Sequence, residues 1–312
     1  KVIVFFTPKK NDERINRINI KKLKEKKMKT DYNEIIVEKK ESALWITINR
    51  PEVRNAFREQ TLDEMREAVL ETRNDSTITC IVFSGAGNEA FSAGGDFYAM
   101  KRLNWSNAAH WNDRMLGLAM AIRGVPIPVI AMVNGYCMGG GHELALWCDL
   151  VICSETAVLG QTGAKVGACP TVGATQYLPR IVGERIAREM IFLCRTFTGK
   201  EAVEVGLANK CVSQDELLSE TIKWVRQIKT YSGQTIRQTK KSLNAESDDL
   251  YASWQHGMEL LAHVWGSDEC MEGMNAFIEK RKPDFFQFRE KNAEIVKDYL
   301  IGLENDANVK PS

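Results

Sequence analysis

Hydrophobic and polar residues change period several times along this chain, and the changes mark its elements. Between Glu34 and Asn49 two short stretches, IIVEK and LWITIN, have the β-branched content of strands, with a turn around Lys40 to Ser42. Asn49-Arg50-Pro51 stops the second stretch, because proline cannot donate to a ladder. From Thr61 to Asn74 the apolar residues Leu62, Met65, Val69 and Leu70 recur near helical spacing, and CIVFS from Cys80 to Ser84 reads as a buried strand. A second helix is predicted from Ala108 to Arg123. The segment Val125 to Val133 follows, its prolines marking the start and its later part forming a strand. Cys148 to Cys153 is strand-like, Arg185 to Leu193 helical, and Leu207 to Val212 a short extended piece after Gly206. This alternation predicts an α/β fold. From about Glu216 strand signals end and amphipathic helices run through Phe277, predicting a separate helical C-terminal domain, while polar residues 291–312 are expected to be a loose tail.

Composition narrows the class. The 312 residues suffice for one large domain or two modest ones, and a mix of 44% apolar with 27% charged residues is that of a globular protein. The longest nearly unbroken apolar run, Val125 to Val133, contains two prolines and falls far short of the roughly 20 residues a membrane helix needs. No membrane partner is expected. Of 42 Lys and Arg residues, ten lie in residues 1–27 with only three of the 41 acids, which leaves a mildly acidic body of 32 bases and 38 acids. Such a body gives no support to nucleic-acid binding. Residues 1–29 read as a basic, disordered extension with Met28 a natural start. A targeting segment is disfavoured because the stretch contains acids and no Ser. Eight cysteines form no CxxC pair and no Cys/His cluster of zinc-like spacing, so no metal is expected. They lie mostly in apolar stretches, which fits a reducing cytoplasm.

Two glycine-rich segments bear on chemistry. Phe91-Ser92-Ala93-Gly94-Gly95-Asp96 follows a strand and loop, and Asn134-Gly135-Tyr136-Cys137-Met138-Gly139-Gly140-Gly141-His142-Glu143 joins a strand to a helix. Glycines there let the backbone approach a ligand closely, and free N–H groups at such turns can converge on one oxygen. Two donors at about 2.7–3.1 Å from an oxygen that becomes negative make an oxyanion hole. Taken singly, either turn also reads as an ordinary tight loop. Glu143 reads in two ways as well: a residue favoured by the helix dipole, or a carboxyl whose pKa desolvation raises to an acid/base value. His142, beside it on the same helix, should point elsewhere and serve packing.

Together with Asn49-Arg50-Pro51 and Asn55-Ala56, the runs AFSAGGD, VNGYCMGGGHELALWCD, LGQTGAKVG, GKEAVEVGLANKCV and EGMNAFIEKRKPDF resemble the crotonase (enoyl-CoA hydratase/isomerase) superfamily from about residue 34 to 288. The resemblance implies a crotonase-like spiral of ββα repeats over 30–215, a C-terminal α-helical trimerisation domain over 216–290, and a homotrimer or homohexamer. The implied partner is an acyl-CoA thioester, with coenzyme A as part of the substrate and no further cofactor. Its carbonyl oxygen would sit between the N–H groups of Gly95 and Gly140, with Glu143 moving the proton. Arg54, Ala93, Asp96, Tyr136, Gln161, Thr162 and Gly163 would contact substrate or CoA. Phe277 and Lys280 would approach the nucleotide part of a CoA bound to this or a neighbouring subunit.

The chain also departs from the two-glutamate hydratases, whose second carboxyl would fall at Gly163 in Gly160-Gln161-Thr162-Gly163. Gly163 is expected to leave room for a larger substrate, a water or a small anion. The GQTG run, SAGGD and EKRKPDF are similar to dihydroxynaphthoyl-CoA synthase and the alicyclic ketoacyl-CoA ring-opening hydrolases. Relatives of those types carry Val at the Glu143 position, Asp at Pro170, Ser at Ala168 and Tyr at Trp265. An oxocyclohexenecarbonyl-CoA hydrolase instead shares the Glu, the GQxG loop and GAT-x-x-LP, matched here by Gly173-Ala174-Thr175-Gln176-Tyr177-Leu178-Pro179. This combination predicts water addition to, or hydrolytic opening of, a cyclic or aromatic-derived acyl-CoA. The alternatives are a ring-closing synthase and a weakly catalytic CoA- or RNA-binding homologue. Tyr98, Trp105, His110 and Trp111 are candidates to line a ring-binding cavity or, equally, to be ordinary core and surface residues.

Overall fold

The computed structural model describes residues 28–307, so the expected N-terminal extension lies outside the described residues except for Met28 and Lys29. The strands are β1 (Ile35–Lys40), β2 (Ala43–Ile48), β3 (Cys80–Gly85), β4 (Ala90–Ser92), β5 (Val129–Val133), β6 (Tyr136–Met138), β7 (Leu150–Ser154), β8 (Val158–Gly160), β9 (Thr196–Thr198) and β10 (Lys210–Val212). Among them run helices α1 (Glu59–Glu71), α2 (Phe97–Met100), α3 (Ala108–Gly124), α4 (Gly140–Trp147), α5 (Ala174–Phe192) and α6 (Gly199–Glu204). The chain ends in α7 (Leu217–Lys229), α8 (Gly233–Asp248), α9 (Tyr251–Val264), α10 (Asp268–Ile278) and α11 (Phe286–Ala307).

From β3 to β8 successive strands alternate between two sheets. One has the order β1-β2-β3-β5-β7-β10 and the other β4-β6-β8-β9. Each of β3–β4, β5–β6 and β7–β8 contributes one strand to each sheet before a helix returns, which is the repeating ββα spiral of the crotonase fold. β1 and β2 form an antiparallel hairpin from Ile35↔Ile48 to Lys40↔Ala43, whereas β2, β3, β5, β7 and β10 pair in parallel. Along β2, Leu44, Ile46 and Ile48 enter the main core, while Ala43 and Trp45 pack with Val82, Ile130, Leu217 and Val225 on the opposite face. Burial on both faces explains why LWITI is nearly continuously apolar.

Two sequence expectations change. The helix expected from Arg185 is present, but a further helical stretch from Ala174 precedes it across a break at Gly183, at φ 80 and ψ 157, and Pro179 within that stretch hides it from the sequence pattern. The expected loose tail is helical from Phe286 to Ala307. Phe288, Lys291, Asn292 and Ile295 stand at i, i+3, i+4 and i+7 and line one cleft together with Cys169 and Val264.

Candidate active site

β4, β6 and β8 are parallel neighbours, so the turns that follow them leave one end of the smaller sheet side by side. Ala93 and Gly95, then Gly139 and Gly140, then Gln161, Thr162 and Gly163 line one cavity of about 90 Å³. The backbone joins the second and third turns directly, Gly139 N–H donating to Gly160 O at 2.9 Å.

The first and second turns touch. Gly94 has φ 94, and a Cβ there would lie 2.9 Å from both Gly140 N and Met138 O, so only glycine permits the contact. The 50–57 loop holds the first turn: Phe57 N–H donates to Gly94 O at 2.8 Å and Asp96 N–H to Phe57 O at 2.9 Å. That bridge skips the N–H of Gly95. Ser92 Oγ locks the turn further, donating to Asn55 O at 2.8 Å and accepting from Gly94 N–H at 3.1 Å. Gly140 is the first residue of α4, where a backbone N–H has no acceptor within its own helix. The cavity is therefore bordered by two backbone donors of the kind that stabilise a developing oxyanion.

Glu143, only 4% exposed, lies in the first turn of α4 and lines the cavity. Its Oε1 accepts from Val172 N–H at 2.8 Å and Ala174 N–H at 3.4 Å, at the start of α5. Burial pushes its pKa up from the ordinary carboxylate value to about 8, against the opposing pull of those two N–H groups. The acid form accordingly carries its proton on Oε2, which has no partner among the described residues. His142 is buried too, but its Nδ1 meets Gln161 Nε2 at 2.9 Å, and burial lowers its pKa to about 4. Among the described residues lining the cavity Glu143 is the one carboxyl group. The other titratable side chain, Cys169, is held as a thiol by burial, which raises its pKa.

The remaining predicted residues divide. Asp96 is occupied: Oδ1 caps α2 through Tyr98 N–H at 2.9 Å and Ala99 N–H at 3.4 Å, and Oδ2 pairs with Arg50 at 2.9 Å. Arg54 pairs with exposed Glu89 at 2.6 Å and covers the Tyr136 ring at 5.4 Å, and neither Arg54 nor Tyr136 lines the cavity. Phe277 is exposed, with its ring centroid 4.5 Å from that of Phe97, which does line the cavity. Lys280 follows just beyond α10 with φ 56. Of the four aromatic candidates only Trp111 reaches the cavity. Tyr98 and His110 line a separate surface cleft shared with Trp111, and Trp105 is 77% exposed.

The space expected at Gly163 is a correction. A Cβ there would lie 2.4 Å from Ala168 O, so the direction a side chain would take is filled by backbone of the following loop. Gly163 thus serves the loop, whose Ala168 N–H donates back to Gly163 O at 2.9 Å. Ala168, Pro170 and Trp265, which stand where ring-handling relatives carry polar groups, do line the cavity. Sequence reasoning missed Phe57, Phe97 and Met100 in the wall, and the Val172 and Ala174 amides that hold Glu143. GAT at Gly173 signalled a helix start, but Pro179 disguised it.

The family model described as Enoyl-CoA hydratase/isomerase matches residues 38–289. An enoyl-CoA hydratase structure from Mycobacterium avium subsp. paratuberculosis is 26% identical with a TM-score of 0.75, covering 82% of this chain and 99% of that one. An enoyl-CoA hydratase/isomerase from Xanthobacter autotrophicus is 30% identical with a TM-score of 0.74, covering 80% and 94%. An enoyl-CoA hydratase from Bacillus anthracis, also 30% identical, has a TM-score of 0.67 and covers 81% and 99%. With these matches and the touching glycine turns, the chain belongs to the enoyl-CoA hydratase/isomerase family of acyl-CoA enzymes.

Proposed function

We propose that this chain is a one-carboxyl acyl-CoA enzyme that adds water to, or hydrolytically opens, a compact cyclic or aromatic-derived enoyl- or oxoacyl-CoA. The observation that carries this reading is Glu143, its Oε1 fastened by two backbone N–H groups and its Oε2 free in a cavity with no second carboxyl among the described residues. The N–H groups of Gly95 and Gly140 would receive the thioester oxygen, each donor of an oxyanion hole contributing about 3–4 kcal/mol. The walls supply Phe57, Phe97, Trp111 and Trp265, flat apolar surfaces that suit an unsaturated ring. At about 90 Å³ the cavity lies well under the roughly 300 Å³ of a drug-sized pocket, so it would take the acyl group while the CoA arm stays outside. Phe277, Lys280, Arg54 and Tyr136 are our candidates for that arm.

In water addition the water oxygen bonds to the β-carbon and the double-bond pair moves into the thioester enolate. Glu143 Oε2–H gives its proton to the α-carbon, and the carboxylate recovers a proton from the added water. In ring opening the water oxygen bonds to the ring ketone carbon and the bond to the α-carbon breaks toward the enolate. Glu143 then protonates the α-carbon and regains the proton shed as the new carboxyl group forms. Each route consumes one water and returns the enzyme unchanged.

The test is product mass from a panel of linear enoyl-, cyclic enoyl- and cyclic β-oxoacyl-CoAs, with wild type and Glu143→Gln. We expect turnover of the cyclic members and a loss of about 10²–10⁴-fold in kcat for the variant. Undiminished turnover by the variant removes Glu143 from the mechanism, and turnover confined to linear substrates removes the ring.

A further inference from the structure

The turn that carries Gly95 is also gripped by side chains that do not line the cavity. Phe57 bridges Gly95 in parallel, its N–H donating to Gly94 O at 2.8 Å and its O accepting from Asp96 N–H at 2.9 Å. Arg50 reaches both sides of that bridge. Its Nη1 donates to Ala56 O at 2.7 Å, just before Phe57, and its Nη2 to Asp96 Oδ2 at 2.9 Å, just after Gly95. The pair is nearly out of water, the Arg50 and Asp96 side chains being 11% and 9% exposed. Glu34 Oε1, 3.9 Å from Arg50 Nε, flanks the guanidinium and is itself bonded by Arg58 Nε at 2.6 Å.

The clamped loop is not relaxed. Arg54 and Asn55 sit at φ 54 and φ 55, left-handed conformations unfavourable to residues other than glycine, and such a loop keeps its shape only where its surroundings over-determine it. A planar guanidinium presents two donors in a fixed fork, which suits holding two oxygens at a set separation. We propose that Arg50 is a positioning residue for the oxyanion hole: by clamping Ala56 O and the Asp96 carboxylate it fixes where the N–H of Gly95 points. This rests on the reading that Gly95 N–H receives the thioester oxygen, and it holds whatever the acyl group and whatever moves the proton. A displacement of about 1 Å at a reacting site costs on the order of 10²-fold in rate, so even a small loosening of the clamp is measurable.

Arg50→Lys keeps the charge and removes the fork, and Asp96→Asn keeps the acceptor that caps α2 and removes the ion pair. On an acyl-CoA that the protein turns over, each should lower kcat about 10–100-fold and move KM less than about threefold, because the interaction weakened is one made in the transition state. The double variant should lose little more than the worse single one. The deciding readout is the infrared carbonyl stretch of a bound saturated acyl-CoA, which offers water neither a double bond nor a ring ketone and so stays intact. Bound to wild type its band should lie below the solution frequency, and in Arg50→Lys it should return toward that frequency. A merely structural arginine would lower the melting temperature and leave the band of the folded, loaded protein in place. An unmoved band, a loss carried by KM, or additive losses in the double variant overturns the proposal. A band unshifted in wild type overturns it together with the oxyanion reading. Should Arg50→Lys melt below the assay temperature, Asp96→Asn gives the same readout. Glu143→Gln should abolish turnover and keep the wild-type band, so a failed proton-transfer reading and a failed positioning reading give different results.

Discussion

The turns after β6 and β8 leave neighbouring parallel strands and both rely on glycine, yet they do opposite things. After β6 the backbone enters α4 and delivers Glu143 into the cavity, with the start of α5 fastening one carboxyl oxygen. After β8 the chain folds over itself, and Ala168 O occupies the place a side chain at 163 would need. A glycine at a site can therefore mean room for a ligand or room already taken by the protein, and only the neighbouring backbone distinguishes them. The carboxyl group among the described lining residues therefore stands on one side of the cavity.

The sharpest challenge to that contrast is to move the carboxyl. Gly163→Glu should not create a two-carboxyl hydratase, because its Cβ collides with backbone and not with a flexible side chain. We expect a destabilisation of about 1–3 kcal/mol, read as a lower denaturant midpoint, and reduced activity. The double variant Glu143→Gln/Gly163→Glu should remain inactive. Recovery of hydration in the double variant would show that the β8 turn can host the acid after all.

His142 and Glu143 offer a milder contrast within one turn of helix, since burial keeps both neutral by shifting them in opposite directions. The pKa of Glu143 rises from 4.5 to about 8, so across that window the native state holds a proton the unfolded chain releases, and stability declines as pH rises. The pKa of His142 falls from 6.5 to about 4, so the unfolded chain holds the extra proton there and stability declines as pH drops through that window. Urea midpoints from pH 4 to 8 should lose their alkaline decline in Glu143→Gln and their acid decline in His142→Asn. Variant curves running parallel to wild type would show that neither shift is real.

The two regions also differ in how far they were legible. Strand and helix periodicity exposed an α/β alternation because alternation and helical spacing act within a few residues, the spiral itself came only with the family resemblance, and the two glycine turns and Glu143 were visible as local motifs. The Gly163–Ala168 clash was not, because it depends on a chain reversal that glycine content announces only as a turn. The wall was equally hidden. Phe57 and Trp265 lie some two hundred residues apart in the sequence, and only the packing of α9 against the spiral makes them neighbours of one cavity. The C-terminal segment misled because its polar composition outweighed a single apolar stripe at Phe288 and Ile295.

The smallest effect we expect separates the cavity from its rim. Phe277 rests on Phe97, and Lys280 follows it with its N–H donating to Phe277 O at 3.2 Å, outside the cavity lining. An ammonium meeting a CoA phosphate in water is screened, and such exposed pairs are worth about 0–1 kcal/mol. Lys280→Ala should therefore raise KM for acyl-CoA by at most about fivefold and leave kcat unchanged. With the corresponding acyl-pantetheine, which lacks the nucleotide, the variant and wild type should coincide. A fall in kcat, or an equal rise in KM with acyl-pantetheine, would place Lys280 at the reacting end of the substrate and dissolve the division between a buried site that does the chemistry and an exposed edge that only holds the handle.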